Sequence, residues 1–334
     1  NTAFAYIQQK NKVAALDAFR QASKLDFDGK MTEDATFNYA KLSFDLNGDT
    51  SVFTDYMKKY SDRVRGEKIY SYMALAALSD RDYQSAINAY DNIDVLNGQD
   101  RLNYVHANYL RGAELLDNGS YRRAVQCMKA VTYYTPKNDR VNQLARYSLG
   151  EAYYRNEQYV DAADQFEELY NNQALYGMDQ GELLPYNAAY SFFKQKEYDS
   201  AAKWFDTYCT DGGKAVLKDA LTRKADCLFA QNKYEQAAQA YQAVLDKYFD
   251  VNDIYPYYQC AVTSGLSNQA GRKVELLENV TRADSTAAYY PDALFEYGRA
   301  LQDKKQTRTA ITVFEQVVSR AGGSAFAAKS LLEI

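Results

Sequence analysis

The segment YSLGEAYYRNEQYVDAADQF, from Tyr147 to Phe166, contains the pattern on which the whole chain is built. Gly150 is followed twelve residues later by Ala162, and the aromatic Phe166 comes four residues after that. Two small residues allow two helix backbones to approach closely, and a ring one helical turn further on fills the groove beside them. With the short polar turn RNEQ between the two halves, the segment predicts a pair of antiparallel helices.

The same small–small–large order recurs along the chain, at spacings of 34 to 39 residues. Clear copies are Ala3-Ala15-Phe19, Ala74-Ala86-Tyr90, Gly112-Ala124-Met128, Ala189-Ala201-Phe205, Ala225-Ala237-Tyr241 and Gly298-Ala310-Phe314, and degenerate copies lie near Ala40-Val52-Tyr56 and Ala261-Lys273-Leu277. One pair cannot bury its apolar face alone, whereas stacked pairs can. We therefore expect a single solenoid over residues 1–334. Its helix pairs are expected at roughly 1–24, 31–60, 67–95, 101–135, 141–170, 181–210, 216–249, 254–283 and 290–320, with 324–334 starting a further repeat.

The composition agrees with a folded helical chain. Hydrophobic residues make up 47% of the 334 residues and charged residues 25%, whereas proline occurs only 4 times and glycine 16 times. A net charge of −5 without a basic stripe argues against nucleic-acid binding. No apolar run approaches the roughly 20 residues that a membrane-spanning helix needs. The first residue is Asn and the last segment stops within an amphipathic pattern, so we expect the chain to be a piece of a longer protein.

Tyrosine is unusually frequent, with 32 residues in the chain. Part of this excess is periodic, because a tyrosine lies three residues before the alanine of the second helix in the copies at Tyr83, Tyr121, Tyr159, Tyr198 and Tyr234. At the start of the second helix a ring can cover the turn while its hydroxyl stays in water. We expect these tyrosines to be structural.

This pattern resembles the tetratricopeptide repeat. Leu149, Gly150, Tyr153, Ala162 and Phe166 match the order of that family, and Pro136 falls where its terminal proline would follow Ala124. The resemblance covers essentially the whole chain and implies an all-α fold, a right-handed α-solenoid of about nine helix-turn-helix repeats. Degenerate units, the mostly absent proline and long connections such as NNQALYGMDQGE depart from the regular family and are similar to the irregular repeats of bacterial cell-envelope proteins.

Residues suited to catalysis or to metal binding are scarce. The one histidine, His106, is expected to be an ordinary helix residue, and we expect no catalytic residue, no metal and no cofactor. The four cysteines lack CxxC spacing and are interpreted as small buried residues, with a Cys209–Cys227 disulfide as the remote alternative. The segments TDGGKAV (210–216) and DFDGKMTED (26–34) are interpreted as turns, since neither has the spacing of a phosphate-binding or a calcium-binding loop.

The candidate site is a groove. In proteins with this type of repeat the first helices line a concave face, and projecting the family's outward positions onto this chain gives an aromatic stripe edged with charges. Its residues are Tyr109, Tyr147, Glu151, Tyr154, Arg155, Tyr186, Tyr190, Phe193, Lys194, Arg223, Asp226, Phe229 and Tyr258. Aromatic rings and arginine give large contact areas at low ordering cost. The alternative is that these rings only pack between neighbouring first helices; Tyr147, Tyr154 and Tyr190 are favoured for the groove.

The resulting hypothesis is a non-catalytic scaffold that binds a peptide or protein partner on this groove. Two alternatives stay open. One is a structural or assembly factor of the cell envelope, which would be periplasmic rather than cytoplasmic; the other is a binder of glycans or cell-wall fragments, since tyrosine faces also stack on sugars. The sequence does not determine the partner or the oligomeric state.

Overall fold

The computed structural model describes residues 1–25 and 28–334, which form nineteen α-helices and no strand within those ranges. The helices are α1 (Thr2–Gln8), α2 (Lys12–Ala22), α3 (Gly29–Asn47), α4 (Ser51–Lys59), α5 (Arg63–Ser79), α6 (Tyr83–Tyr90), α7 (Gly98–Asp117), α8 (Tyr121–Tyr134), α9 (Arg140–Arg155), α10 (Tyr159–Asn171), α11 (Asp179–Lys194), α12 (Tyr198–Thr210), α13 (Leu217–Ala230), α14 (Tyr234–Lys247), α15 (Ile254–Leu266), α16 (Ala270–Val280), α17 (Tyr290–Asp303), α18 (Thr307–Arg320) and α19 (Ala325–Glu333). The all-α class predicted from the sequence is confirmed.

The described helices group into two compact units, Asn1–Ala152 and Tyr153–Ile334. In the first unit α1, α2, α3 and α4 pack in chain order, as do α5, α6, α7 and α8. In the second unit every helix from α10 to α19 packs on the next one along the chain. Packing of each helix on its sequence neighbour is the α-solenoid arrangement, because each pair buries its apolar face against the adjacent pair. One continuous array over residues 1–334 stays a prediction.

The turns inside the helix pairs share one backbone motif. Two residues before the second helix the chain takes a positive φ at Lys10, Arg81, Gly119, Glu157, Lys196, Asn232, Asn268 and Lys305. The next amide then bonds back to a carbonyl five residues earlier, as from Gln158 N to Tyr153 O at 2.9 Å and from Glu197 N to Phe192 O at 3.0 Å. This pattern is typical of the Schellman motif, in which two backbone hydrogen bonds satisfy the last carbonyls of a helix and the chain then reverses. Most of these turns use a residue other than glycine.

The small–small–large pattern corresponds to close helix contacts. A Cβ added at Gly298 would lie 2.8 Å from Phe314 Cδ1, and one added at Gly112 would lie 2.7 Å from Met128 Cε. Ala310 and Ala124, the second small residues of the same pairs, are fully buried. The prediction that small residues make room for a large one on the partner helix is confirmed in these two repeats.

The four cysteines are free thiols, so the alternative of a Cys209–Cys227 disulfide is wrong for this structure. Cys127, Cys227 and Cys260 are buried, as expected for small core residues, whereas Cys209 is only half-buried. Burial raises the pKa of Cys227 to about 12 and that of Cys260 to about 11, which keeps both thiols protonated at neutral pH.

Two further expectations concern the N-terminal turn and the membrane. Asp26 and Phe27, the first residues of DFDGKMTED, lie outside the described residues, and from Gly29 onwards this segment is helix rather than turn, capped by Asp28. Within the described ranges, no helix combines the length and the apolar character needed to span a bilayer.

Candidate functional site

Two tyrosines on α11 are held by one carboxylate of α13. Tyr186 and Tyr190 lie one helical turn apart, with ring centroids at 4.9 Å, and their hydroxyls donate to the same Asp219 Oδ2 at 2.8 Å and 2.5 Å. Burial and the hydrogen bond to Asp219 raise the pKa of Tyr190 to about 12, and burial raises the pKa of Tyr186 as well. Both rings are therefore fixed in place and neutral at physiological pH.

Arg223 connects this group to a second carboxylate on the same helix. Its Nε donates to Asp219 Oδ1 at 3.3 Å, and a terminal nitrogen donates to Asp226 Oδ2 at 2.5 Å. Asp226 is 8% exposed and also accepts hydrogen bonds from the hydroxyls of Tyr241 and Tyr255. Burial disfavours the charged guanidinium, but the charges of Asp226 and Asp219 outweigh burial and raise the pKa of Arg223.

The aromatic surface continues across α15 to the start of α17. The Arg223 guanidinium lies 5.4 Å from the centroid of the Tyr255 ring, and the Tyr255 ring lies 5.0 Å from that of Tyr289. Tyr289 and Tyr258 are stacked at 6.3 Å, and Tyr289 is 43% exposed. We call the contiguous set formed by Tyr186, Tyr190, Asp219, Arg223, Asp226, Tyr255, Tyr258 and Tyr289 the tyrosine strip. It lies entirely within the second unit.

Three other predicted residues pack on the turn of their own helix pair. Each pairs with the tyrosine that begins the second helix: Tyr154 with Tyr159 at 5.4 Å, Phe193 with Tyr198 at 5.6 Å, and Phe229 with Tyr234 at 5.7 Å between ring centroids. In these three pairs the tyrosine at the start of the second helix packs against a ring of the first helix, which agrees with the structural role expected for it. Arg155 and Lys194, in the last turns of α9 and α11, are exposed.

The remaining predicted residues belong to the first unit. Tyr109 on α7 is half-buried, and burial raises its pKa. Tyr147 on α9 is 8% exposed and Glu151 is half-buried, and both already interact with other groups of the protein. Tyr147 therefore offers little ring surface to a partner, although the sequence had favoured it for that role.

The outward positions of the repeat family, projected onto the sequence, did not include Asp219, Tyr255 or Tyr289. For Asp219 a signal was present, because Asp219, Arg223 and Asp226 follow one another at four and three residues and so share one face of α13. Tyr289 takes a φ of 62° in the connection before α17, where no helical periodicity applies.

Comparison with protein families identifies repeats in both units. One tetratricopeptide repeat model matches residues 109–176, and a second matches residues 219–248 and 292–324. The second model thus includes the strip residues Asp219, Arg223 and Asp226 on α13. A comparison with curated proteins finds no match.

Solved structures with a similar arrangement of helices share little sequence with this chain. A signal-transduction ATPase with numerous domains and a tetratricopeptide repeat sensor, from Pyrococcus horikoshii, aligns with 96% of this chain and 53% of its own, at 11% identity and a TM-score of 0.54. A chain of the Naa15/Naa10 complex bound to HypK-THB aligns with 96% of this chain and 50% of its own, at 14% identity and a TM-score of 0.52. The chain thus spans about half the length of these two proteins, and the likeness concerns the fold alone.

Proposed function

We propose that the chain is a non-catalytic scaffold for protein–protein interaction and that its tyrosine strip binds a peptide segment of a partner protein, because tetratricopeptide repeats of the kind matched in both units generally form such scaffolds. The observation that supports this most strongly is the continuity of the strip. The rings on α11 and those on α15 are joined through Asp219, Arg223 and Asp226 of α13, and the ring of Tyr289 continues the strip to the start of α17. An extended or helical peptide could contact several of these rings at once.

The strip is organised before a ligand arrives. The hydroxyls of Tyr186, Tyr190 and Tyr255 and the guanidinium of Arg223 are each held by a carboxylate. Side chains that are already fixed lose little conformational freedom on binding, so more of the contact energy appears as affinity. Tyrosine suits this role because its large rigid ring is ordered at low entropic cost.

The charges of the strip nearly balance. Asp219 and Asp226 outnumber Arg223 by one, and the neighbouring cations Lys218 and Lys273 pair with Asp253 at 2.5 Å and Glu296 at 2.9 Å. Paired charges of this kind fix the register of a partner more than they add affinity. We therefore expect ring contacts, rather than net charge, to dominate recognition.

A random-peptide phage library, selected on the full chain, tests the proposal with a double variant at Tyr258 and Tyr289. These rings contact each other, and their removal leaves the hydrogen bonds among Asp219, Arg223 and Asp226 in place. Selected peptides should bind Tyr258→Ala/Tyr289→Ala about tenfold more weakly or worse, since buried aromatic contacts dominate such interfaces.

Phe249→Ala is the matched control. It removes a ring that is 79% exposed in the same unit but outside the strip, and circular dichroism confirms that each variant keeps its helices. Equal binding of the selected peptides to wild type and double variant would contradict the proposal, as would a selection that yields no binding peptide. Titration with cell-wall oligosaccharides on the same variants decides whether the strip binds sugars instead.

The envelope location stays a prediction from the sequence. The complete coding sequence tests it. A secretion signal upstream of residue 1 would support a periplasmic protein, and a start codon close to residue 1 would contradict it.

A further inference from the structure

A cavity of ≈ 890 Å³ lies where the loop between α10 and α11, residues 172–178, meets the loop between α12 and α13, residues 211–216. No residue of the tyrosine strip lines this cavity. Its wall carries three tyrosine rings and three carboxylates, which belong to Tyr170, Tyr176, Tyr208, Asp179, Glu182 and Asp211. The cavity is thus a second concave surface of the same unit, with a chemistry of its own.

Hydrogen bonds tie the two loops together on either side of the cavity. The Tyr170 hydroxyl, at the end of α10, donates to Asp211 Oδ2 at 2.6 Å. Glu182, in the first turn of α11, accepts from the backbone amide of Lys214 at 2.8 Å. Because each bond joins one loop region to the other, the walls are in place without a ligand.

Two glycines fix the backbone beneath the cavity. A Cβ at Gly181 would overlap the carbonyl oxygen of Leu175, and a Cβ at Gly213 would overlap the ring of Tyr208. Only a residue without a side chain allows approaches of this kind. The close packing of backbone against backbone and ring therefore keeps the shape of the cavity.

The charge of the cavity is negative. Glu182 accepts hydrogen bonds from the amides of Lys214 and Ala215, which lower its pKa. Glu182 and Asp179 both lie in the first turn of α11, the positive end of that helix. The positive charge of Lys214 lies close enough to Glu182 to contribute to the lowering of its pKa. Among the residues that the structure describes, no cation pairs with Asp179 or Asp211.

We propose that this cavity binds the guanidinium group of an arginine side chain presented by a peptide. A planar guanidinium stacks on aromatic rings and donates to carboxylates in pairs, which matches a wall of tyrosines and of aspartates that have no cation partner. Tyr170 and Tyr176 provide the ring faces, and Asp179 and Asp211 accept the hydrogen bonds. This site is independent of the peptide site on the tyrosine strip.

The protein carries its own reporter for this site. Trp204 is the only tryptophan of the chain, and its ring centroid lies 5.1 Å from that of Tyr170. The full chain is titrated with a short capped glycine peptide that has one central arginine, and with the same peptide carrying citrulline, which has the shape of arginine without the charge. Tryptophan fluorescence and calorimetry follow the binding.

The arginine peptide should bind with a saturable signal, and the citrulline peptide should bind about tenfold more weakly or worse, since hydrogen bonds between charged groups are stronger than neutral ones. Asp179→Asn/Asp211→Asn should lose affinity for the arginine peptide to a similar degree. Asp164→Asn, which removes a charge from the exposed face of α10, and Tyr258→Ala/Tyr289→Ala in the strip should bind it like wild type.

Equal affinity for arginine and citrulline would overturn the proposal, and so would an equal loss in Asp164→Asn. Absence of both a fluorescence change and heat of binding would overturn it as well. Loss of arginine binding in the strip variant would instead place the arginine on the tyrosine strip, so failure of this site and failure of the strip give different results.

Discussion

Replacing Gly298 by alanine places a methyl group against a ring with no space to move. The added Cβ would lie 2.8 Å from Phe314 Cδ1 and closer still to Cε1, and Phe314 is 0% exposed. Overpacking a filled core costs about 1–3 kcal/mol. Alanine in place of glycine within a helix by itself stabilises by about 0.5–1 kcal/mol. The two effects oppose each other, and we expect a net loss of about 1 kcal/mol in the local stability of α17 and α18.

Hydrogen exchange of the amides in α17 and α18, on the full chain, measures this local free energy. Gly271→Ala in α16 is the matched control, because its Cβ would meet only Lys304 Nζ at 3.9 Å. Gly271→Ala should therefore gain the stability of alanine over glycine in a helix without the cost of overpacking. In a Phe314→Leu background the clash disappears, so Gly298→Ala should become neutral or stabilising. A coupling energy between the two sites below about 0.5 kcal/mol would refute the packing argument.

Three further predictions concern the turns, the repeat core and tyrosine ionisation. Lys196→Gly should raise the free energy of unfolding, measured by urea denaturation, by up to about 1 kcal/mol, because glycine avoids the cost of a left-handed conformation. Gly119→Ala, at the equivalent position of another turn, should lower it by about 1 kcal/mol. Changes of the same sign in the two variants would count against a shared turn motif. Ala201→Leu should destabilise by about 1–3 kcal/mol, since Ala201 is fully buried, and a neutral result would contradict the proposed register. The pKa of Tyr190 and that of Tyr170 are raised to about 12, above the value of about 10 in the unfolded chain, so stability should be complete below about pH 10 and fall between pH 10 and 12 in thermal melts. Asp211→Asn should move the absorbance titration of Tyr170 to lower pH, and an unchanged titration would contradict the role of that carboxylate.

The repeat architecture could be predicted because its signal is local in the chain. Gly298, Ala310 and Phe314 lie within one helix pair, and their spacing alone indicates which residues must be small. The turn tyrosines Tyr159, Tyr198 and Tyr234 were predictable for the same reason. The left-handed residues of the turns were not predicted, since most of them are charged or amide residues rather than glycine.

The candidate site could be predicted only in part, because its contacts join different repeats. Tyr190 and Asp219 are 29 residues apart, and no spacing within one repeat shows that they meet. The family pattern named Tyr190, Asp226 and Tyr258 by their place on the first helices. The pattern could not show that Tyr258 stacks on another ring of the strip, Tyr289, whereas Tyr147 is buried.

Site-specific cross-linking tests the central proposal most directly. The photoreactive residue p-benzoylphenylalanine is introduced in place of Tyr289, within the strip, or in place of Phe249, outside it, and each protein is irradiated with a peptide selected on the wild-type chain. If the tyrosine strip binds the peptide, position 289 cross-links to it and position 249 does not. A cross-link at position 249 with none at position 289 would place the binding surface elsewhere on the protein.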